Sequence, residues 1–280
     1  MRKFVSKCSF DTFNSRREDV FMITKDIINF LEEKYPRSNA EEWDNVGLLV
    51  GNNKKDVKKI QLSIDATEKA VDYAAQNNVD MIVTHHPLIF KPLKSIVMSE
   101  LSGRKIIKLI ENGLNLYSIH TNLDSSKDGL NDYILELLEV KKYKILDINA
   151  NDETAGIGRM YTLEEKITIL EYADFIKTKM EIKNVRVTSN DLKSEVKKIA
   201  LINGSGMSYW RKVKSLGADL FITGDISYHD ALDAKESGLH LIDIGHFESE
   251  NCFSELLKKN LEEIGLEVLI FNDGPVFENY

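Results

Sequence analysis

Long apolar runs are missing from this 280-residue chain. None approaches the ~20 consecutive apolar residues that a membrane-spanning helix needs, so no membrane partner is expected. Cysteine is scarce. The two present, Cys8 and Cys252, have no metal-type spacing, which excludes a disulfide framework and makes a reducing cytoplasm the expected location. Positive charge is in deficit, with 37 Lys and Arg against 45 Asp and Glu, a net charge of −8. Proteins that bind nucleic acid non-specifically carry a basic surface, so this balance argues against nucleic acid as a partner and suits a protein that holds cations. No serine or cysteine stands in a recognisable nucleophile elbow, and no glycine-rich stretch fits a P-loop or dinucleotide fingerprint.

What is present reads as globular. The chain is 42% hydrophobic and 29% charged, and it is long enough for two cores. Residues 1–21 mix Arg2, Lys3, Arg16 and Arg17 with Asp11, Glu18 and Asp19 and contain no apolar segment of signal-peptide type, so they are expected to form an N-terminal arm. The core begins at Met22. Thr24 is placed to cap a helix that puts Ile27, Ile28 and Leu31 on one face and stops before Pro36.

Beyond that helix, short β-branched runs alternate with helical patterns. This predicts an α/β fold with mixed, largely parallel sheets. The chain also resembles itself. The segment 56–65 is similar to 195–204, and at the same offset of 139 residues Val79 to His85 faces Ala218 to Gly224. A third strand follows in each unit, Gly113 to Ile119 and Gly238 to Ile244, and each unit closes with a helix and another strand. The simplest reading is two related α/β lobes, 22–150 and 151–280, joined by the polar residues near 150.

Four of only six histidines fall directly after predicted strands: His85 and His86, His120, and His246. Ligands of open α/β sheets bind beyond the carboxyl ends of strands, so these four can converge. Two carry a carboxylate four residues on, His120 with Asp124 and His246 with Glu250, a spacing that shares one helical face. Imidazole plus carboxylate suits Zn, Fe, Mn or Co better than Ca. Four histidines and two carboxylates are too many for one open ion but fit two divalent ions with a bridging carboxylate. Each piece alone has a plainer explanation, since paired histidines and i,i+4 spacings arise by chance; it is their joint position at strand exits that points to a metal centre just past the ends of the strands.

Other signals are softer. His229 fits either an acid–base group near the crevice or an ordinary helix start, and His240 lies within a strand. Glu248 is a second candidate for handling protons. Glu42 to Gly51 mixes polar groups, Trp43 and two glycines, which fits the mouth of a site or a turn before a strand. Gly204-Ser-Gly206 and Gly156-Ile-Gly-Arg159 read best as turns. Lys91, Lys94 and Arg104 read as solvated charge.

These segments, taken in order, resemble the dinuclear-metal-centre proteins named GTP cyclohydrolase 1 type 2 homologues. The resemblance rests on Glu42 to Leu48, Thr84 to Leu88, His120 to Asp124 with Gly129 to Asn131, Gly156 to Arg159, Gly204 to Gly206, Thr223-Gly224, and Gly245-His246 with Glu250. It spans about residues 22–280. It implies that His85, His86, His120, Asp124, His246 and Glu250 are the metal ligands and that the assembly is a toroidal homohexamer with its metal sites in the cleft between the two α/β lobes. The interval from Arg159 to Gly204 is too short for the middle domain that some members carry. The activity implied is hydrolytic opening of the guanine ring of GTP, with hydroxide supplied at the metal. The alternative is a metal-binding regulator or adaptor without turnover.

Overall fold

The computed structural model describes residues 22–150 and 152–278, so the arm expected over 1–21 lies outside the described residues. In chain order the strands are β1 (Met22–Ile23), β2 (Gly47–Val50), β3 (Asp56–Val57), β4 (Lys59–Ser63), β5 (Met81–Thr84), β6 (Asn115–Ser118), β7 (Tyr143–Asn149), β8 (Asp152–Thr168), β9 (Arg186–Thr188), β10 (Glu195–Leu201), β11 (Leu220–Thr223), β12 (His240–Asp243) and β13 (Glu267–Ile270). Eleven of them form two large sheets, and β1 pairs with β3 in a small antiparallel one. One has the order β13-β4-β5-β6-β2 and is parallel except at β2. The other has the order β7-β8-β10-β11-β12-β9, with β10, β11 and β12 parallel at its centre and the remaining pairings antiparallel. The chain is thus mixed α/β, as its alternation of patterns predicts. Among the described residues, no helix is long and apolar enough to cross a membrane.

The central strands are buried along their whole length, which is why they read as continuous apolar runs rather than alternating ones. Their alternation shows instead in which core each side chain enters. Met81, Val83, Tyr117 and Ile119 join Leu220, Ile222, Ile242 and Ile244 in one core shared by both sheets. The residues between them turn outward. Ile82 and Leu116 pack beneath the helices Glu68–Gln76 and Leu101–Glu111, and Phe221 and Leu241 enter a separate outer cluster with Trp210 and Ala234.

The correspondence seen in sequence extends to hydrogen bonds. Asp80 Oδ2 accepts from the backbone N–H groups of Lys58 and Lys59 at 2.9 and 3.1 Å; 139 positions on, Asp219 Oδ2 accepts from those of Lys197 and Lys198 at 2.9 and 2.8 Å. The closing strands, however, are exchanged. β7, from residues before 150, pairs with β8, and β13, at the end of the chain, pairs in parallel with β4. Each sheet therefore contains a strand from the other half of the sequence, and the point near 150 falls within the β7–β8 hairpin.

The first helix runs Thr24–Lys34, but Thr24 is not its cap. Ile23 occupies that position, and Asp26 accepts a hydrogen bond from its backbone N–H at 3.2 Å. The Thr24 hydroxyl is buried instead, donating to Lys55 O at 3.1 Å and accepting from Asn115 Nδ2 at 2.6 Å. A tertiary use of the hydroxyl has displaced the local one.

Gly156-Ile-Gly-Arg159 proves to be an internal clamp. Arg159 is fully buried in β8. It pairs with Asp132 and donates to Gly156 O at 2.8 Å, Gly158 O at 2.9 Å and Ser126 O at 3.2 Å. It thereby ties β8 to the helices Thr121–Ser125 and Leu130–Leu137. Removing one partner of such a pair strands a buried charge, so Arg159→Met is expected to cost ~3–5 kcal/mol in urea denaturation. Loss below about 1 kcal/mol would show that the clamp is dispensable.

Burial of Tyr35 and Tyr172 pushes each phenol up to about 12. A group whose folded-state value is raised stabilises fully below its unfolded value near 10 and loses that contribution as pH rises through 12. Stability should therefore hold to about pH 10 and fall between about 10 and 12, with late phenolate absorbance tracking loss of helical circular dichroism. Complete tyrosine ionisation without unfolding would contradict this.

Candidate metal centre

Strand register brings the site together. Ser63, Thr84 and Ser118 are neighbours across β4, β5 and β6, so the segments leaving these strands start level. His85 and His86 follow β5 at once, and His120 follows β6 by two residues. Their backbone is pinned: Ser118 Oγ donates to His85 O, Thr84 Oγ1 donates to His86 O, and His86 N donates to Ile64 O, each at 2.9 Å. In the other sheet, β12 leads through Gly245 to His246. Gly245 has φ +85, a left-handed turn that glycine adopts without strain, and its N–H donates to Asp243 Oδ1. Asp124 and Glu250 then fall four residues beyond their histidines on the short helices Thr121–Ser125 and His246–Glu250.

All six residues expected as ligands meet. His85 Nε2 lies 3.6 Å from Asp124 Oδ1 and 3.5 Å from Glu250 Oε1. Glu250 Oε2 lies 2.9 Å from His86 Nε2 and 3.2 Å from His246 Nε2. Two groupings have geometry suited to an ion: His85, His86 and His120, and His86, His246 and Glu250. Glu250 therefore contacts residues of both groupings, while Asp124 sits by His85.

The opposite nitrogen of each ring explains this orientation. His85 Nδ1 faces Ile119 O at 3.0 Å, His86 Nδ1 faces Asp65 Oδ1 at 3.0 Å, His120 Nδ1 faces Asp44 Oδ2 at 3.0 Å, and His246 Nδ1 faces Asp225 Oδ2 at 2.6 Å. An acceptor at Nδ1 places the proton there and leaves the Nε2 lone pair directed inward, the arrangement that supports metal-ligating histidines. Asp44, Asp65 and Asp225 escaped the sequence reading as individual residues. Asp44 lies in the Glu42 to Gly51 segment whose relation to the site was left open. Asp225 occupies the position that matches His86 at the 139-residue offset.

Beneath the carboxylates runs a chain of amides. Asn203 Nδ2 donates to Asp124 Oδ1 at 2.8 Å and approaches Glu250 Oε1 at 3.4 Å, and Asn131 Nδ2 donates to Asn203 Oδ1 at 2.7 Å. The Gly204-Ser-Gly206 turn also has a role here. A Cβ at Gly204, where φ is +58, would lie 2.4 Å from Glu250 Oε1, so glycine makes room for the carboxylate. Ser249 closes the turn by donating to His246 O at 2.7 Å and accepting from Gly204 N at 2.9 Å.

The electrostatics fit a cation. Burial lowers His86 and His246, but Asp65 and Glu250 outweigh it and raise His86 to about 10, while Glu250 and Asp225 raise His246 to about 9. His85 is also raised, burial being overcome by Asp124 and Glu250. Burial pushes Asp124 above the usual carboxylate value. The same burial acts on Glu250, yet His85, His246 and His86 hold it well below. A divalent ion taking these Nε2 atoms would displace protons that the carboxylates otherwise favour. His85 Nε2 is fully buried without a hydrogen-bond partner, which a metal bond would satisfy. The donor set of imidazole nitrogen and carboxylate oxygen suits a transition ion.

The two residues expected to handle protons part company. Glu248 lines a cavity of about 930 Å³ alongside His86 and His246. His229 is exposed in the first turn of the helix Tyr228–Glu236 with its ring against Tyr228, outside that lining. His240 packs by hydrogen bond to Ser189 at 2.9 Å, and Arg104 pairs with Glu68 at 3.0 Å.

Two sheets whose strand exits share a partly buried histidine–carboxylate cluster define an α/β protein with a candidate site for divalent metal. The profile of Duf34/NIF3 (NGG1p interacting factor 3) matches residues 22–274, and the chain belongs to that family. It is 47% identical over 229 residues to the GTP cyclohydrolase 1 type 2 homolog of Clostridium perfringens, covering 82% of this chain and 87% of that protein. To the homolog of the same name from Campylobacter jejuni it is 36% identical over 249 residues, covering 89% and 96%. Among solved structures it is similar to a Staphylococcus aureus hypothetical protein, with TM-score 0.85, 31% identity and coverage of 92% of this chain and 99% of that one. It is also similar to reduced HcgD from Methanocaldococcus jannaschii, with TM-score 0.77, 34% identity and coverage of 90% and 99%.

If the Nδ1 acceptors orient the ligands, Asp44→Asn and Asp225→Asn should each weaken metal binding ~10–100-fold, read by competition with a chelating dye, while the fold persists. Gly204→Ala, which drives a methyl against Glu250, should do the same. Unchanged affinity in all three would remove the orienting role.

Proposed function

We propose that this protein is a metal-dependent hydrolase that holds two divalent transition ions, Zn, Fe, Mn or Co, and opens the ring of a purine-type heterocycle. The observation that carries this reading is the convergence of the four imidazoles and two carboxylates, with fully buried His85 Nε2 facing Asp124 and Glu250 but hydrogen-bonded to neither. His85, His86, His120, Asp124, His246 and Glu250 would hold the ions. Glu250, in reach of both groupings, could serve either ion. Ions bound there supply Lewis acidity and a water of lowered pKa. Asp44, Asp65 and Asp225 keep the imidazoles oriented, and Glu248, beside the centre, takes or returns protons. His229 would serve only a substrate that reached beyond the cavity lining. The relatives' name and the resemblance of the whole chain support the substrate class. We further propose a cytoplasmic homohexamer, with 22–150 and 151–280 as related lobes that exchange their closing strands.

The second reading, a metal-binding regulator or adaptor without turnover, draws on exposed apolar residues. Phe90, Ile96, Val97, Met98 and Leu101 stand out from the segment after the His-His pair, and Trp43 packs on Phe90. Surface of this kind marks a docking face, whether for another copy or for another protein.

Elemental analysis of chelator-free protein should find about two transition ions per chain and a steep loss in His85→Ala/Asp124→Ala. Light scattering should give about six times the mass of one chain. With ions bound, a panel of purines and cyclic amides should yield a ring-opened product. A loaded, assembled protein that leaves the panel unchanged would contradict the hydrolase and favour the adaptor; a protein that takes up no ion would contradict both.

A further inference from the structure

The cavity beside the metal centre has a charge that its size alone does not require. Its walls carry five carboxylates, Asp65, Asp225, Asp243, Glu248 and Asp273, against one guanidinium, Arg186. That guanidinium is already engaged, paired with Asp243 and donating to Ile226 O at 3.1 Å. Asp65 and Asp225 receive the Nδ1–H groups of His86 and His246, which orient the rings and leave the carboxylates formally charged when the histidines are neutral ligands. Two divalent ions would bring four positive charges to the centre. Asp124, Glu250 and Asp44 offset three of those, so the cavity and centre together stay net negative. No lysine lines the cavity.

The remaining lining is apolar and amide-bearing. Phe247, Pro275, Val276 and Phe277 give flat or aliphatic faces, with Val276 and Phe277 largely exposed at the rim. Asn184, Asn251 and Asn272 offer donors and acceptors. Glu248 makes no ion pair among the described residues. A carboxylate of this kind accepts hydrogen bonds from adjacent N–H groups and repels phosphate, the reverse of the lysine and arginine clamps that hold nucleoside triphosphates.

We infer that this cavity takes an uncharged, N–H-rich planar heterocycle, as the free base or nucleoside, and disfavours its phosphorylated forms. Glu248 binds the N–H edge, and the aromatic rim covers the ring face. This rests on the hydrolase reading for the idea that a small substrate enters here, and it names the substrate class more narrowly: the heterocycle is recognised without phosphate and the triphosphate is rejected.

The test is calorimetric titration of the full chain, loaded with Zn²⁺, against guanosine, GMP and GTP at about 0.15 M salt, repeated at about 1 M. Affinity should fall with each added phosphate, guanosine binding on the order of tenfold or more tightly than GTP. The gap should narrow at high salt, because screening weakens the repulsion. Glu248→Gln should weaken guanosine binding and also shrink the gap. An affinity that is level or rises with phosphate number, or no guanosine binding at all, overturns the inference. Guanosine bound without turnover upholds it and removes the hydrolase reading. Turnover with GTP bound more tightly than guanosine removes the inference and leaves the hydrolase reading in place.

Discussion

Burying two carboxylates among four imidazoles is the constraint on which the rest of this structure depends. Charges moved from water to the interior cost several kcal/mol each unless partners meet them. Here the offset is built from both halves of the chain. His85, His86, His120 and Asp124 come from one sheet, and His246, Glu250 and Asn203 come from the other. Neither set is complete alone, since Glu250 needs the first sheet's histidines and Asp124 needs Asn203. The shared core and the exchange of β7 and β13 hold the two sheets in the one relation that lets these groups meet.

Orientation is imposed from outside the cluster. Each ring is gripped at Nδ1 by an acceptor on a separate segment: Ile119 O, Asp65, Asp44 or Asp225. Four rotatable side chains become a fixed set of inward-facing Nε2 atoms before any ion arrives. Such preorganisation raises affinity by removing the entropy of assembling ligands, and it fixes which nitrogen binds. The buried Arg159 clamp acts one layer further out, holding β8 against the helix that bears Asp124.

Much of this was legible in the sequence because it is local. A histidine at a strand exit and a carboxylate four residues on are visible in the local sequence, so the six residues that the structure brings together could be picked out in advance. The parallel α/β pattern was legible for the same reason. The orienting aspartates were not, because Asp44 and Asp65 reach their histidines across 76 and 21 residues, and nothing in either local sequence announces the partner. The exchanged strands were equally hidden: the residues of β7 and β13 read the same whichever sheet they join. Thr24 shows the limit from the other side, since its cap-like position was overridden by Lys55 and Asn115, which are distant in sequence.

The proposed hydrolase requires that the Nε2 atoms and carboxylates hold two ions. Anomalous diffraction from crystals grown with Mn²⁺ or Zn²⁺, recorded on both sides of the metal edge, tests it most directly. Two peaks per chain are expected, one bonded to Nε2 of histidines among His85, His86 and His120, the other to His86 or His246, with Glu250 in reach of both. No peak at the cluster, or ions held instead on the outer face by Asp65 or Asp225 with the imidazoles turned away, would contradict the account.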